Sequence, residues 1–131
     1  MAQSGCALLR VGIEAGDDRI RQEIYKKKIS TKSIKHIFEV AKSNGMDFTA
    51  FYIFGGPYET RATFRKTLEA AWDLDAGRSA FFIYKPFSKR GYQQVIESGG
   101  GIADERWKKV DNIAFGGATY GVDWGPQVAE L

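Results

Sequence analysis

Three short apolar stretches run through this chain, separated by segments in which apolar and polar residues alternate at helical spacing. The stretches are residues 8–13, 47–54 and 79–84, and they are rich in aromatic and β-branched residues. Stretches of this length and composition, each followed by charged or turn-forming residues, predict strands. Because they are almost uncharged, we expect all three strands to be buried on both faces.

The segments between and after these strands predict four helices. Asp17 is the expected N-cap of a helix that runs to about residue 27, with the lysines at 26–28 in its last turn, where the helix dipole favours cations. Ser30 and Thr31 are expected to cap the next helix. The other three helices are predicted over residues 31–44, 61–74 and 90–98. Their apolar faces are expected to carry Ile34, Ile37, Phe38 and Ala41 in the first, Phe64, Leu68, Ala71 and Trp72 in the second, and Val95 and Ile96 in the third.

The resulting order, β-α-α-β-α-β-α, predicts an α/β fold with a parallel sheet and right-handed crossovers. We expect one compact unit over residues 1–100. Residues 101–131 are rich in glycine and aromatic residues without a clear period, so we expect an extension that is mostly loop. A short helix around Trp107, over residues 103–110, is the one regular element predicted there.

The strand at 47–54 ends in the sequence GGPYET, residues 55–60. The two glycines permit a left-handed backbone or close approach of another molecule, and Pro57 cannot continue the sheet. Thr60 is a good N-cap for the helix that follows. A strand, a glycine turn and a helix N-terminus in this order are typical of anion and nucleotide sites in α/β proteins, although an ordinary connecting loop fits equally well.

Composition narrows the class of protein. The 131 residues are 44% hydrophobic with a formal charge of +3, which indicates a globular chain and not a dedicated nucleic-acid binder. Cys6 and His36 are the only residues of their types, so we expect no disulfide framework and a reducing, cytoplasmic compartment. His36 lies off the apolar stripe and is expected at the surface. No apolar run approaches the roughly 20 residues of a membrane span.

Parallel strands place their carboxyl ends on one rim, so the loops at 14–18, 55–60 and 85–91 are expected to converge. They would bring together Glu14, Tyr58, Glu59, Tyr84 and Lys85. Glu14 could accept hydrogen bonds from ribose hydroxyls or an amine, and Ile53 and Phe54 could flank a purine next to the Gly55 backbone. The alternatives are a loop charge for Glu14 and a carboxylate favoured by the helix dipole for Glu59.

Two motifs resemble those of a known family. Residues 11–20, VGIEAGDDRI, and residues 51–60, FYIFGGPYET, are similar in order and spacing to the radical S-adenosylmethionine (SAM) superfamily. The likeness continues through residues 79–86, an aromatic strand that ends in a proline, and Gly91-Tyr92. It covers about residues 5–98 and is strongest to members that carry a cobalamin-binding domain.

The resemblance implies a fold and a site. The chain would supply about strands four to six of a TIM-like (β/α)6 partial barrel, with the N-terminal half of the barrel as its missing partner. Glu14 would contact the SAM ribose or amino-acid end, and Lys26 would face the SAM carboxylate in the place usually held by arginine. Ile53, Phe54 and Gly55 would pack on adenine. Tyr84, Lys85 and Pro86 would offer backbone contacts to it.

The chain departs from the family pattern in two ways. Tyr58 replaces the commoner glycine of the turn, and the CxxxCxxC motif that holds the 4Fe-4S cluster is absent, with Cys6 alone. The parent enzyme would use SAM and the 4Fe-4S cluster, with cobalamin as a further cofactor, on an unknown substrate. The chain alone is expected to be inactive and to hold no metal.

Two other readings remain open at this stage. The chain could be a non-catalytic α/β module that self-associates through open sheet edges. It could also be part of an unrelated phosphate-binding TIM-barrel enzyme, although residues 55–60 contain no lysine or arginine and Arg61 is the nearest.

Overall fold

The computed structural model describes residues 2–99 and two further short strands at residues 101–102 and 122–123. The extension predicted over residues 101–131, with its helix at 103–110, otherwise lies outside the described residues. The elements are, in chain order, a 3-10 turn Ala2–Ser4, β1 Leu8–Glu14, a π-helical turn Ile20–Ile24, α1 Thr31–Ser43, β2 Asp47–Phe54, α2 Arg61–Leu74, β3 Arg78–Ile83, α3 Lys89–Glu97, β4 Gly101–Ile102 and β5 Val122–Asp123.

The main sheet is parallel, in the order β1-β2-β3, as the alternation of strands and helices predicted. Leu9 pairs with Phe48 and Val11 with Ala50, and the register shifts between Gly12 and Glu14. On the other side of β2, Phe51 pairs with Ala80. β4 and β5 form a separate antiparallel pair. The α/β class and the alternating βα units are therefore confirmed.

One face of the sheet is covered by α1 and α2. Its buried cluster combines strand residues with helix residues: Ile13, Phe48, Ala50 and Tyr52 from the strands, and Ile34, Ala41 and Leu74 from the helices. Phe38 of α1 packs edge-on against Phe48 at 5.2 Å between ring centroids. Because side chains alternate along a strand, the residues between these belong to the other face. This second face carries Arg10 and Gly12 of β1, Thr49, Phe51 and Ile53 of β2, and Ala80 and Phe82 of β3.

Side-chain caps fix where the helices begin. The Ser30 hydroxyl accepts from the Ser33 amide at 3.1 Å, and the Ser88 hydroxyl accepts from the Gly91 amide at 3.1 Å. At α2, Thr60 and Thr63 form a reciprocal capping box. Each cap satisfies amides that the first turn would otherwise leave unpaired, so the predicted starts at Ser30 and Thr60 are confirmed.

The helix predicted from Asp17 to about residue 27 is wrong in length. Asp17 does cap the turn, since its Oδ1 accepts from the Ile20 amide at 3.1 Å. The following residues, however, form only the π-helical turn that ends at Ile24, and the lysines at 26–28 lie beyond it. Lys26 has a left-handed backbone with φ of 57°, which ends helical geometry there.

Several predictions of burial are also wrong: Leu8 of β1, Ile37 of α1 and Ile96 of α3 are 37%, 38% and 48% exposed. In α2 the buried residues are Thr63, Thr67 and Leu74, whereas Leu68 is 45% exposed and Trp72 86% exposed. β3 is not covered on both faces, because Phe81, Phe82 and Ile83 are 43–53% exposed at the edge of the sheet. In the part of the chain that the structure describes, no helix has the length and apolar character needed to cross a membrane.

Candidate functional site

The loops that follow β1, β2 and β3 meet at the carboxyl ends of the strands, and we call this region the rim. Tyr25, just after the π-helical turn, lies where they meet. A Cβ atom on Gly56 would overlap the Tyr25 hydroxyl, so the loop after β2 needs glycine here. The Tyr25 ring also contacts the Tyr84 ring, with centroids 6.2 Å apart. Burial, followed by the charge of Glu59, raises the pKa of Tyr25, and Glu14 contributes in the same direction. The predicted convergence of the three loops is confirmed.

Glu14 ends β1 in a left-handed conformation, with φ of 68°. Its carboxylate lies on the second face of the sheet, where a Cβ on Gly12 would overlap Oε1. The Glu14 side chain is only 15% exposed, and its Oε1 lies 3.1 Å from Nζ of Lys27. The rim therefore presents a fixed carboxylate paired with one cation.

That cation is Lys27 and not Lys26. The chain reverses after the π-helical turn, with the Lys27 amide donating to the Arg21 carbonyl at 3.0 Å, and Lys26 is exposed. Nothing in the run of three lysines distinguishes one from another, because the choice depends on the left-handed backbone at Lys26. The sequence therefore does not indicate Lys27 as the partner of Glu14.

Arg21 holds the β1–α1 connection together from the inside. It is fully buried, and its guanidinium donates twice to the Ala15 carbonyl, at 2.9 and 2.6 Å. It also donates to the Ile29 carbonyl at 3.3 Å and pairs with Asp18, which accepts in turn from Thr31. The i, i+3 spacing of Asp18 and Arg21 was the signal that could have indicated the pair.

The same connection is attached to α2. The Gly16 amide donates to the Thr67 hydroxyl at 2.9 Å, and Lys66 donates to Asp17 at 2.8 Å. Burial alone would raise the pKa of Asp17, but the hydrogen bond and charge of Lys66 outweigh it, so the pKa is lowered. These contacts hold the residues after Glu14 in one position relative to the rim.

The three residues predicted to pack on adenine, Ile53, Phe54 and Gly55, do not all lie on the same face of the sheet. Ile53 is half-buried on the second face, next to its register partner Phe82, and Gly55 follows at the rim. Phe54 lies on the helix-covered face, where its ring contacts Phe64 at 4.3 Å and stacks on Phe81 at 5.1 Å. The structure thus brings Ile53 and Gly55 together and places Phe54 apart from them.

The residues after β3 extend along the rim. The Tyr84 amide donates to the Phe54 carbonyl at 2.7 Å, which continues the sheet pairing beyond Ile83. Burial raises the pKa of the half-buried Tyr84. Lys85 is half-buried and Pro86 is buried. The three residues predicted as adenine contacts therefore lie next to the β2 loop that carries Gly55.

Glu59 is buried inside the glycine turn and forms hydrogen bonds with both glycines. Its Oε2 accepts from the Gly55 amide, and its own amide donates to the Gly56 carbonyl at 3.2 Å. The residue is 8% exposed, and Oε1 has no hydrogen-bond partner in the described part of the chain. Burial raises the pKa of Glu59 to about 7, against the opposing hydrogen bonds from Gly55 and Gly56.

The rim brings together a carboxylate acceptor at Glu14, apolar surface at Ile53 and the backbone of Gly55. It does not provide an iron–sulfur site. A 4Fe-4S cluster bound to SAM takes three thiolates from the protein, and the sequence has one cysteine, Cys6. In the residues that the structure describes, no group of three His, Cys, Asp or Glu side chains could hold a metal ion.

Comparison with known proteins gives likenesses both in structure and in sequence. The fold superposes on coproporphyrinogen III oxidase (HemN) from Escherichia coli, a radical SAM enzyme, with a TM-score of 0.60 over 81% of this chain and 17% identity. Cytidylyl-2-hydroxyethylphosphonate methyltransferase from Streptomyces wedmorensis is 35% identical over 57 residues, or 44% of this chain. No family model matches the sequence.

The first likeness shows the fold: this chain has the α/β arrangement found in part of a radical SAM enzyme. The chain spans 32% of the HemN chain and 11% of the methyltransferase.

Proposed function

We propose that this chain is part of a radical SAM enzyme and supplies the side of the site that binds the adenosyl portion of SAM. The observation that carries the proposal is the position of Glu14, whose carboxylate lies on the second face of the sheet beside Gly12. The sequence likeness around this residue and the fold of HemN support the same family.

In this proposal Glu14 accepts hydrogen bonds from the ribose hydroxyls, and Lys27 holds the glutamate in place and faces the SAM carboxylate. The sequence analysis assigned the contact with the SAM carboxylate to Lys26. Ile53 and Gly55 form one wall for adenine, and Tyr84, Lys85 and Pro86 form the adjoining edge. Strands β1, β2 and β3 correspond to strands four to six of a partial (β/α)6 barrel.

The reactive half of the site comes from elsewhere in the proposed parent enzyme. The 4Fe-4S cluster needs thiolates that this chain lacks, so the N-terminal half of the barrel is the proposed partner and this chain alone is inactive. Cobalamin is part of the proposal because of the subgroup that the sequence resembles. Methyl transfer is supported by the likeness to a methyltransferase, whereas the substrate is left open.

Ligand-observed NMR tests this binding role. Saturation-transfer experiments with S-adenosylhomocysteine and the intact chain are expected to give the strongest transfer at the adenine and ribose protons. Glu14→Ala removes a charged acceptor, which is worth about 1.5–3 kcal/mol, and should weaken binding by about tenfold or more.

Glu69→Ala is the matched control, because Glu69 is exposed on α2 and should leave binding unchanged. Inorganic phosphate is added as a competitor. Displacement of the nucleoside by phosphate, or equal transfer with Glu14→Ala and the intact chain, would contradict the proposal and favour a phosphate site instead.

A further inference from the structure

The rim contains a buried carboxyl group that the proposed ligand contacts do not use. Glu59 is 8% exposed; its carboxyl group receives hydrogen bonds from the Gly55 and Gly56 amides, but its Oε1 has no hydrogen-bond partner among the described residues. An ionised carboxylate in this position would lose most of its hydration, and Oε1 would have no hydrogen bond in place of the lost water. Such burial costs several kcal/mol, which favours the neutral form.

The hydrogen bonds from the Gly55 and Gly56 amides offset only part of that cost, since the pKa of Glu59 is still raised. The hydroxyl of Tyr25 covers Gly56 and is itself buried without a partner in the described residues. Of the other rim side chains, Tyr84 is uncharged, Lys85 carries a positive charge that is not among the causes of the shifted pKa of Glu59, and Glu14 carries a negative charge that already has Lys27 as its partner. An ionised Glu59 would therefore add a second carboxylate charge to the rim.

We propose that Glu59 is a positioning residue that couples the shape of the glycine turn to its own protonation. The neutral carboxyl group stays buried and holds the Gly55 amide, which keeps Gly55 at its left-handed φ of 77°. When the proton leaves to solvent, the carboxylate draws water in, and the turn opens around Gly55 and Gly56. The inference rests on the proposed function only for the purpose of the turn, which is to position Ile53 and Gly55 beside the adenosyl group.

The direction of the effect follows from linkage. Burial raises the pKa of Glu59 from an ordinary 4.5 to about 7. Over that interval the folded chain binds more protons than the unfolded chain, so the contribution of Glu59 to stability is full below pH 4.5 and declines as the pH rises to about 7. Deprotonation near neutral pH is thus coupled to loosening of the turn.

The test follows both groups in one NMR titration of the intact chain. The chain carries labelled glutamate carboxyl carbons and backbone nitrogens, in a His36→Asn background so that the one histidine does not titrate. The carboxyl carbon of Glu59 and the amide of Gly55 are expected to shift together, with a common midpoint near pH 7. Glu59→Gln keeps a neutral group of the same shape, so its Gly55 amide should stay at the low-pH position throughout.

Glu69→Gln is the matched control and should leave the Gly55 titration unchanged. A Glu59 midpoint below about pH 5, or a Gly55 amide that does not follow Glu59, would overturn the inference; both are read from the chain with native Glu59, whether or not the glutamine variant folds. Neither result needs a ligand. If the coupled titration is found but S-adenosylhomocysteine does not bind at pH 6, the proposed function fails while this inference stands.

Discussion

Tyr58 is the residue of the rim whose backbone is least suited to its side chain. It has a φ of 60° in the turn between Pro57 and Glu59, where the related motif commonly has glycine. Among the described residues four that are not glycine have a positive φ, and three of them, Glu14, Lys26 and Tyr58, lie in or next to the rim loops. Strain of this kind persists where surrounding contacts determine the backbone, and it is concentrated at functional sites.

We expect Tyr58→Gly to be more stable than Tyr58→Ala by about 1 kcal/mol, because only glycine adopts a left-handed backbone without cost. The alanine variant is the control, since it removes the same exposed ring and keeps a Cβ atom. Urea unfolding of both variants gives the comparison. Equal stability, or a less stable glycine variant, would show that the turn is not strained at this residue.

A site residue could be predicted where its residue type alone indicates its role. It could not be predicted where the role depends on the direction in which the backbone points the side chain. Glu14 was identified from its motif, and the structure shows its left-handed φ and places its carboxylate on the second face. Lys27 was missed because three consecutive lysines carry the same chemistry. Phe54 was assigned to the adenine wall, but strand alternation places it with Phe64 on the helix-covered face.

Between elements, the connection from β1 to α1 depends on one buried side chain. Arg21 satisfies the carbonyls of Ala15 and Ile29 and joins them to Asp18. Burial would raise the pKa of Asp18, but the hydrogen bond from the Thr31 hydroxyl, the charge of Arg21 and the hydrogen bond from the Thr31 amide outweigh it, so the pKa is lowered. The loop that positions Glu14 is therefore an ordered structure built around a guanidinium.

Arg21→Met is expected to lower the free energy of unfolding by about 3 kcal/mol or more, because it leaves buried carbonyls and Asp18 without their donor. Arg19→Met is the matched control; its ion pair with Glu23 is exposed at 3.9 Å and should contribute less than about 1 kcal/mol. Denaturant unfolding measures both. Equal losses in the two variants would exclude Arg21 as the anchor.

The helices show why hydrophobicity alone misjudged one face. In α2 the buried positions include Thr63 and Thr67, whose hydroxyl groups are satisfied by the capping box and by Gly16. Trp72 lies on the opposite side and is exposed. The number of apolar residues favours the face that carries Trp72. The buried face instead includes Thr67, which accepts a hydrogen bond from Gly16 in a loop far away in the sequence, and the pattern within α2 gives no sign of that contact.

For the molecule as a whole, the order of strands and helices was sufficient to predict a parallel sheet, and the structure confirms it. What the pattern could not predict is which strands lie at an edge. β1 and β3 have the composition of buried strands but lie at the two edges of this sheet, where Leu8 is 37% exposed and Phe81, Phe82 and Ile83 are 43–53% exposed. In the proposed barrel, strand three of the missing half would pair with β1. The open edges also keep self-association through the sheet as a prediction.

Binding of the adenosyl group of SAM at the rim can be followed residue by residue through backbone amide shifts in protein-observed NMR. S-adenosylhomocysteine is titrated to millimolar concentration into the labelled chain, which detects binding of about −4 kcal/mol. We expect amide shifts at Glu14, Ile53, Gly55 and Lys85 and none at Trp72 or along α1. Shifts confined to the helix-covered side, or no shifts at saturating ligand, would contradict adenosyl binding at the rim.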